Sequence, residues 1–301
     1  MNPSLKTAVA LGSFDGLHKG HMSVIACTLS MRECGLVPLV LLFESHPLLS
    51  LAGQAPAELL QKQKRDEILE NMGVKTEYIS FPQIMNYSCR EFFEKILLES
   101  LNVGAVCCGQ NYRFGKGGKG DCDELSRLCD EYGVKLCISN QVDLGGIPVS
   151  STRIRLAVEQ GDLPLANSML GRPFSYRAPV VSGYRRGHLI GAPTINQHFD
   201  SNFVKPKKGV YASFTTLNGV DYPSVTNIGL RPSFENEDFR SETCIIGFSG
   251  NLYGESVEVS LLKYIRDEKK FDSVEALGKQ ISADAVTAEE IFKNRGENGC
   301  V

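Results

Sequence analysis

Gly12-Ser-Phe-Asp-Gly-Leu-His-Lys-Gly-His21 follows a short apolar run, Ala8-Val-Ala-Leu11, and leads into a segment of helical composition from Met22. A strand, a glycine-rich turn and a helix N-terminus in that order make a phosphate site. Small residues let the backbone approach the ligand, unpaired N–H groups point outward, and the helix dipole favours an anion. Gly12, Phe14, Asp15, Gly16 and Gly20 therefore read as phosphate-loop positions. His18 and His21 add donors where charge gathers on a phosphoryl group. A pattern with this many fixed letters arises by chance on the order of 10⁻⁷ times in such a chain. Either histidine alone would read as a polar surface or core residue, and it is the pair in this setting that points to an anion.

The bulk numbers narrow the class. With 301 residues, of which 42% are hydrophobic, the chain can bury two ordinary cores. Lys and Arg total 32 against 35 Asp and Glu, a net charge of −3, so no global field recruits nucleic acid or an anionic membrane. Small-molecule chemistry is the better expectation. The first residues lack the order of a signal peptide, and the most apolar window, residues 38–43, is too short to span a bilayer. A cytoplasmic protein is expected. The ten cysteines include no CxxC pair and scatter through apparent helices and strands, so they read as reduced, mostly buried small hydrophobes.

Along the first half, apolar runs alternate with helical segments. Residues 8–11, 39–43, 76–79, 105–108 and 134–138 read as strands; residues 22–34, 57–72 and 123–132 read as helices, each stopped by a glycine. Ser88 with Glu91 is a capping box for a helix running to about residue 100. Two further helices, 152–160 and 163–170, follow. This rhythm predicts a doubly wound, mainly parallel sheet with ligands beyond the carboxyl ends of its strands. After Gly171-Arg-Pro173 the texture changes to strand-like runs at 210–217, 222–228, 243–248 and 257–265, with a hairpin turn at Asn218-Gly219. They predict a compact antiparallel barrel, packed by a helix over 273–292. The expected domains are 1–171 and 172–301.

Three further clusters fall on loops after strands: Phe43-Glu-Ser-His-Pro47, Gly109-Gln-Asn-Tyr-Arg-Phe-Gly115 and Val149-Ser-Ser-Thr-Arg-Ile-Arg155. Ser150, Ser151 and Thr152 at a helix start, with Arg155 one turn on, can clamp a polyphosphate; simple N-capping is the alternative. The loop Gly115-Lys-Gly-Gly-Lys-Gly120 reads as a flap over phosphates or a plain solvated loop. With the opening stretch, these motifs resemble, in order, the adenylyltransferase half of bacterial bifunctional riboflavin kinase/FAD synthetases. The resemblance implies a nucleotidylyltransferase-like (Rossmann-like) α/β domain in which the phosphate of FMN attacks the α-phosphorus of ATP and releases pyrophosphate. It further implies that His18 and His21 hold phosphates, that Asn111 and Phe114 position the flavin, and that Mg²⁺ offsets charge on the leaving group. This chain departs from the family pattern at Ser45, where proline is usual, and at Pro148, where a basic residue is common.

The second half carries Gly183-Tyr-Arg-Arg-Gly-His-Leu-Ile-Gly-Ala-Pro-Thr-Ile-Asn196, which resembles the riboflavin kinase pattern GxxRGxxxGxPTAN with Ile195 in place of alanine. Thr194 and Asn196, two apart in an extended segment, project to one side and can share a hydrated Mg²⁺. Alone, Pro-Thr-Ile-Asn would read as a turn. Asn227-Ile-Gly-Leu-Arg-Pro232, Glu242, Leu252-Tyr-Gly254 and Arg266-Asp-Glu-Lys-Lys-Phe271 follow in the family's order, with small departures at Ser233 and Asp267. The resemblance implies nucleotide binding at Arg186, Gly187, Gly191 and Pro193, flavin binding at Arg231, and a base at Glu242 for the ribityl hydroxyl. Without it, Glu242 would read as a solvent-facing strand residue.

The whole reading is of an enzyme that phosphorylates riboflavin to FMN and adenylylates FMN to FAD with ATP and Mg²⁺. Two alternatives stay open on the residues alone: retention of one activity only, or a flavin-binding regulator without turnover. The oligomeric state is not readable from the sequence.

Overall fold

A computed structural model describes residues 5–181, 194–232 and 237–296. The chain divides into two compact units, Met1–Pro56 with Lys62–Ser150, and Ala57–Gln61 with Ser151–Val301. The division thus falls between Ser150 and Ser151, whereas the composition change lies at Gly171.

The first unit is built on five parallel strands in the order β3-β2-β1-β4-β5: β1 (Thr7–Leu11), β2 (Val37–Phe43), β3 (Lys75–Ile79), β4 (Val103–Gly109) and β5 (Lys135–Ser139). All five residues of β1 are buried, as expected for a central strand covered on both faces, which is why it reads as an unbroken apolar run. The connecting helices are α1 (Lys19–Ser30), α2 (Pro47–Ala52), α3 (Lys62–Asn71), the single turn α4 (Phe81–Ile84), α5 (Cys89–Glu91) and α6 (Cys122–Tyr132). The Ser88–Glu91 capping box forms as expected, and α5 continues as π-helix over Phe92–Ser100. One side of the sheet packs Val9, Leu39 and Val106 against Phe93, Leu97 and Leu125.

Two expectations change here. Residues 57–61 are not helical. Glu58 instead makes a parallel bridge to Phe203, with Glu58 N–H donating to Asn202 O at 2.7 Å and Val204 N–H to Glu58 O at 3.0 Å. A long-range partner supplies the hydrogen bonds a helix would have supplied, and the helix starts only at Lys62. Between β5 and α7 the chain also forms a small hairpin, β6 (Asp143–Leu144) with β7 (Ile147–Pro148), too short to register as periodicity.

The second unit begins with α7 (Ser151–Gln160) and α8 (Leu163–Leu170). Six antiparallel strands follow, β8 (Phe174–Pro179), β9 (Thr194–His198), β10 (Gly209–Leu217), β11 (Val220–Pro232), β12 (Glu237–Ile245) and β13 (Ser256–Arg266), in the order β8-β13-β10-β11-β12-β9. The Asn218-Gly219 turn has φ of +50° and +78°, the left-handed pair a tight hairpin requires. The edge strands approach through Gln197, whose Nε2 donates to Ala178 O on β8 at 2.6 Å and to Val257 O on β13 at 2.8 Å. The sheet thereby curls into a barrel. One face carries a buried hydroxyl ladder, Ser213 to Thr226 at 2.8 Å and Thr226 to Thr243 at 2.9 Å. The terminal helix α9 (Val274–Lys293) is capped by Ser273 and anchored by Asp284, which accepts from Arg266 Nη2 at 2.7 Å and from Gln280 Nε2 at 2.9 Å.

Nine cysteines lie among the described residues and all are free thiols. Cys107, Cys108 and Cys129 are buried, which pushes their thiols up, Cys129 to about 12. They remain protonated and inert at neutral pH.

Candidate active sites

In the first unit the sheet order reverses direction at β1, whose neighbours are β2 and β4. The loops after β1 and β4 open onto one cavity of about 600 Å³, lined by Gly12, Phe14, His18, His21, Asn111 and Phe114 among others. That is the position where doubly wound sheets bind nucleotides, and the volume suits a ligand of that size.

The turn between β1 and α1 is held in unusual backbone. Phe14 and Leu17 have φ of +50° and +41°, although neither is glycine. Both side chains are fully buried, so core packing offsets the strain and fixes the turn. An added Cβ on Gly12 would lie 3.3 Å from the Phe14 ring, and one on Gly20 would lie 3.1 Å from His18 Cε1. Both glycines admit a neighbouring ring rather than merely loosening the chain.

His18 is the N-cap of α1: its Nδ1 accepts from the His21 backbone N–H at 3.3 Å. A neutral imidazole that accepts at Nδ1 carries its proton on Nε2, so the tautomer leaves an N–H donor on the far side of the ring. The rings of His18 and His21 stack with centroids 3.7 Å apart and planes 14° from parallel. Two imidazole rings are thus presented side by side at the helix start. Asp15 and Gly16 form the 3₁₀ turn immediately before them.

In the lining of the same cavity, Phe114 is buried beside Tyr112 and Phe92, with ring centroids 5.9 Å away in each case. Its backbone exchanges hydrogen bonds with Gly120 at 3.1 and 2.9 Å, closing the base of the loop 115–120, and Lys116 N–H donates to Tyr87 O at 2.7 Å. Asn111 is exposed at the cavity wall. Burial pushes the Tyr112 phenol up, so it stays a neutral donor. Tyr112, Phe43, Phe81 and Met85 also line this space; Phe43 and Tyr112 fall within the loop motifs after β2 and β4, whereas Phe81 and Met85 carry no signal in the sequence beyond their apolar type. Ser150 ends the first unit, while Ser151, Thr152 and Arg155 stand on α7 of the second, where Arg155 Nε donates to Ala57 O at 2.6 Å.

In the second unit Asn196 on β9 lies directly across from Glu242 on β12, and Thr194 across from Cys244. Alternation along a strand puts Thr194, Asn196 and Glu242 on the face opposite the hydroxyl ladder. Asn196 is 5% exposed and its Oδ1 has no hydrogen-bond partner among the described residues. A buried amide oxygen left without a donor suits a hard cation. A smaller cavity of about 200 Å³ adjoins Thr194, lined by Val180, Phe248 and Leu252 among others. Arg231 lies on β11 across from Asp238. Arg186, Gly187, Gly191 and Pro193 lie outside the described residues.

Comparison with known proteins follows the same division. The FAD synthetase family pattern matches residues 2–153, and the riboflavin kinase pattern matches residues 170–292. Over 297 residues the chain is 33% identical to the bifunctional riboflavin kinase/FMN adenylyltransferase of Escherichia coli (strain K12), covering 96% of this chain and 94% of the relative. The chain belongs to the bifunctional riboflavin kinase/FMN adenylyltransferase family. A family member from Bacillus subtilis (strain 168) is 31% identical over 297 residues, with 96% and 93% of the two chains covered. A crystal structure described as a macrolide-efflux protein from Streptococcus pneumoniae aligns with a TM-score of 0.87 and 31% identity, over 95% of this chain and 94% of that one. No described helix is long and apolar enough to cross a membrane. As a riboflavin kinase/FMN adenylyltransferase family member the chain is a transferase, with the parallel-sheet domain and the antiparallel barrel of the two matched families.

Proposed function

We infer that the barrel phosphorylates riboflavin to FMN and that the parallel-sheet domain adenylylates FMN to FAD, each with ATP. The observation that carries this reading is the presence, in one chain, of two separate sites of complementary chemistry. One is a stacked histidine pair over an apolar cavity; the other is a carboxylate beside an unsatisfied amide oxygen.

In the kinase step Glu242 takes the proton from the terminal ribityl hydroxyl, whose oxygen attacks the γ-phosphorus of ATP while ADP departs. Thr194 Oγ1 and Asn196 Oδ1 would hold Mg²⁺. When bound, the ion offsets charge on the nucleotide phosphates. In the second step an oxygen of the FMN phosphate attacks the α-phosphorus of ATP and pyrophosphate leaves. The Nε2–H of His18 and the His21 ring hydrogen-bond the phosphate oxygens where charge develops, and Phe114 and Asn111 border the flavin. From the family resemblance, Ser150, Ser151, Thr152 and Arg155 are assigned hydroxyl and cation contacts to a polyphosphate. Arg186, Gly187, Gly191, Pro193 and Arg231 complete the nucleotide and flavin contacts of the kinase. Ten scattered cysteines without a CxxC pair support a reducing, cytoplasmic setting, and the net charge of −3 gives no support to nucleic acid as a partner.

Purified protein given riboflavin, ATP and Mg²⁺ should yield an FMN peak and then an FAD peak on chromatography of the flavins. FMN without FAD, or FAD only from supplied FMN, would reduce the reading to a single activity; no new peak would leave a binding protein.

Two smaller expectations follow. Gly20→Ala presses a methyl to 3.1 Å from His18. Since a misplacement of about 1 Å can cost about 10²-fold, adenylylation should fall on the order of 10-fold while phosphorylation is unchanged. The functional boundary is proposed near Gly171, so a fragment from Arg172 onward should phosphorylate riboflavin. A fragment from Ser151 should do so as well and melt at a higher temperature, because Asn167 on α8 donates to Leu261 O at 3.0 Å and accepts from Phe174 N–H at 2.7 Å. Equal melting temperatures would show that α7 and α8 add nothing to the barrel.

A further inference from the structure

Asn227 on β11 lies directly across from Glu242, which lies directly across from Asn196, so the three form one row over three strands. Residues so paired have Cβ atoms about 4.5–5.5 Å apart. The Asn227 amide is oriented by chemistry. Its Nδ2 donates to Glu268 Oε1 at 3.1 Å, and an ionised carboxylate only accepts, so nitrogen faces Glu268 and oxygen faces away. Room for that carboxylate comes from Gly229, where an added Cβ would lie 2.6 Å from Glu268 Oε1. The Asn227 Oδ1 that results is buried and has no hydrogen-bond partner among the described residues. Glu242, an acceptor when ionised, cannot supply the missing donor.

The row therefore reads acceptor, base, acceptor. Asn196 Oδ1 serves the cation in the reading above, which leaves Asn227 Oδ1 in need of a hydroxyl or an N–H. We propose that Asn227 Oδ1 accepts a hydrogen bond from a secondary hydroxyl of the ribityl chain, and that Glu268 is the positioning residue that aims it. The inference rests on Glu242 being the base for the terminal hydroxyl. It makes the kinase selective for a polyol chain over a simple alcohol, because a chain without secondary hydroxyls leaves the buried oxygen unsatisfied.

The test compares riboflavin with an analogue whose side chain is ω-hydroxypentyl, which keeps the terminal hydroxyl and lacks the secondary ones. Asn227→Ala should lower kcat/KM for riboflavin by about 10–100-fold and leave the analogue within about twofold. Glu268→Ala, in an exposed loop side chain, should show the same pattern at about 3–10-fold, and carries the comparison if Asn227→Ala does not accumulate. Turnover of the analogue by the same preparations controls for folding of the barrel, and adenylylation of supplied FMN normalises for the amount of protein. Equal losses on both substrates, or no loss on riboflavin, would overturn the proposal. Failure of the underlying reading looks different: it is an active Glu242→Gln, whatever Asn227→Ala does.

Discussion

Glu242→Gln lowers riboflavin phosphorylation by roughly 10²–10⁴-fold, the range for loss of a general base. The substitution keeps length and shape. It also keeps the backbone pairing of Glu242 with Asn196 on one side and Asn227 on the other, so the strand has no reason to move. What is lost is a group able to take the proton. At about 1.36 kcal/mol per decade, the expected change is roughly 3–5 kcal/mol of transition-state stabilisation. ATP affinity should change little, because Thr194 and Asn196 remain in place, and adenylylation of supplied FMN should persist in the other domain. Full kinase activity in this variant would falsify the role and leave Glu242 as a half-buried strand glutamate.

What the sequence makes legible follows from how locally each feature is determined. The strands of the first unit are buried on both faces, so β1, β2 and β4 stand out as apolar runs whatever their neighbours. The end of α6 is legible because Gly133, at φ +65°, takes a conformation other residues avoid. The loop after β1 is legible for a similar reason, since a fixed string of glycines and histidines serves one compact turn. Residues 57–61 are not legible: their composition suits a helix, and only Phe203, far along the chain, makes them extended. Nor does composition reveal that α7 and α8 belong with the barrel, because Leu163, Ala166 and Met169 are buried by partners the sequence does not name. Nor does the motif 227–232 by itself mark Asn227 as a candidate site residue. Its meaning depends on the register that sets it opposite Glu242 and on the reach of Glu268.

His21→Ala lowers adenylylation by roughly 10²–10³-fold, the cost of removing one donor to transition-state charge, and leaves riboflavin phosphorylation intact. The structure separates this effect from damage to the loop. The cap of α1 runs from the backbone N–H of residue 21 to His18 Nδ1, so alanine at 21 preserves it. Only the ring stacked 3.7 Å over His18 is lost. His18→Ala is the informative contrast. It removes a donor of the same kind together with the cap, and should therefore also destabilise the first domain by about 0.5–2 kcal/mol in a denaturant titration. If the two histidines merely stabilised the helix start, His21→Ala would be nearly silent and His18→Ala would lose stability before activity. If they hold phosphate, both variants lose adenylylation to a similar degree and only His18→Ala melts early. Equal losses of both enzymatic activities in His21→Ala would show that the assignment of the pair to the adenylyl step is wrong, because the residues proposed for the kinase step stand on other strands and include neither ring.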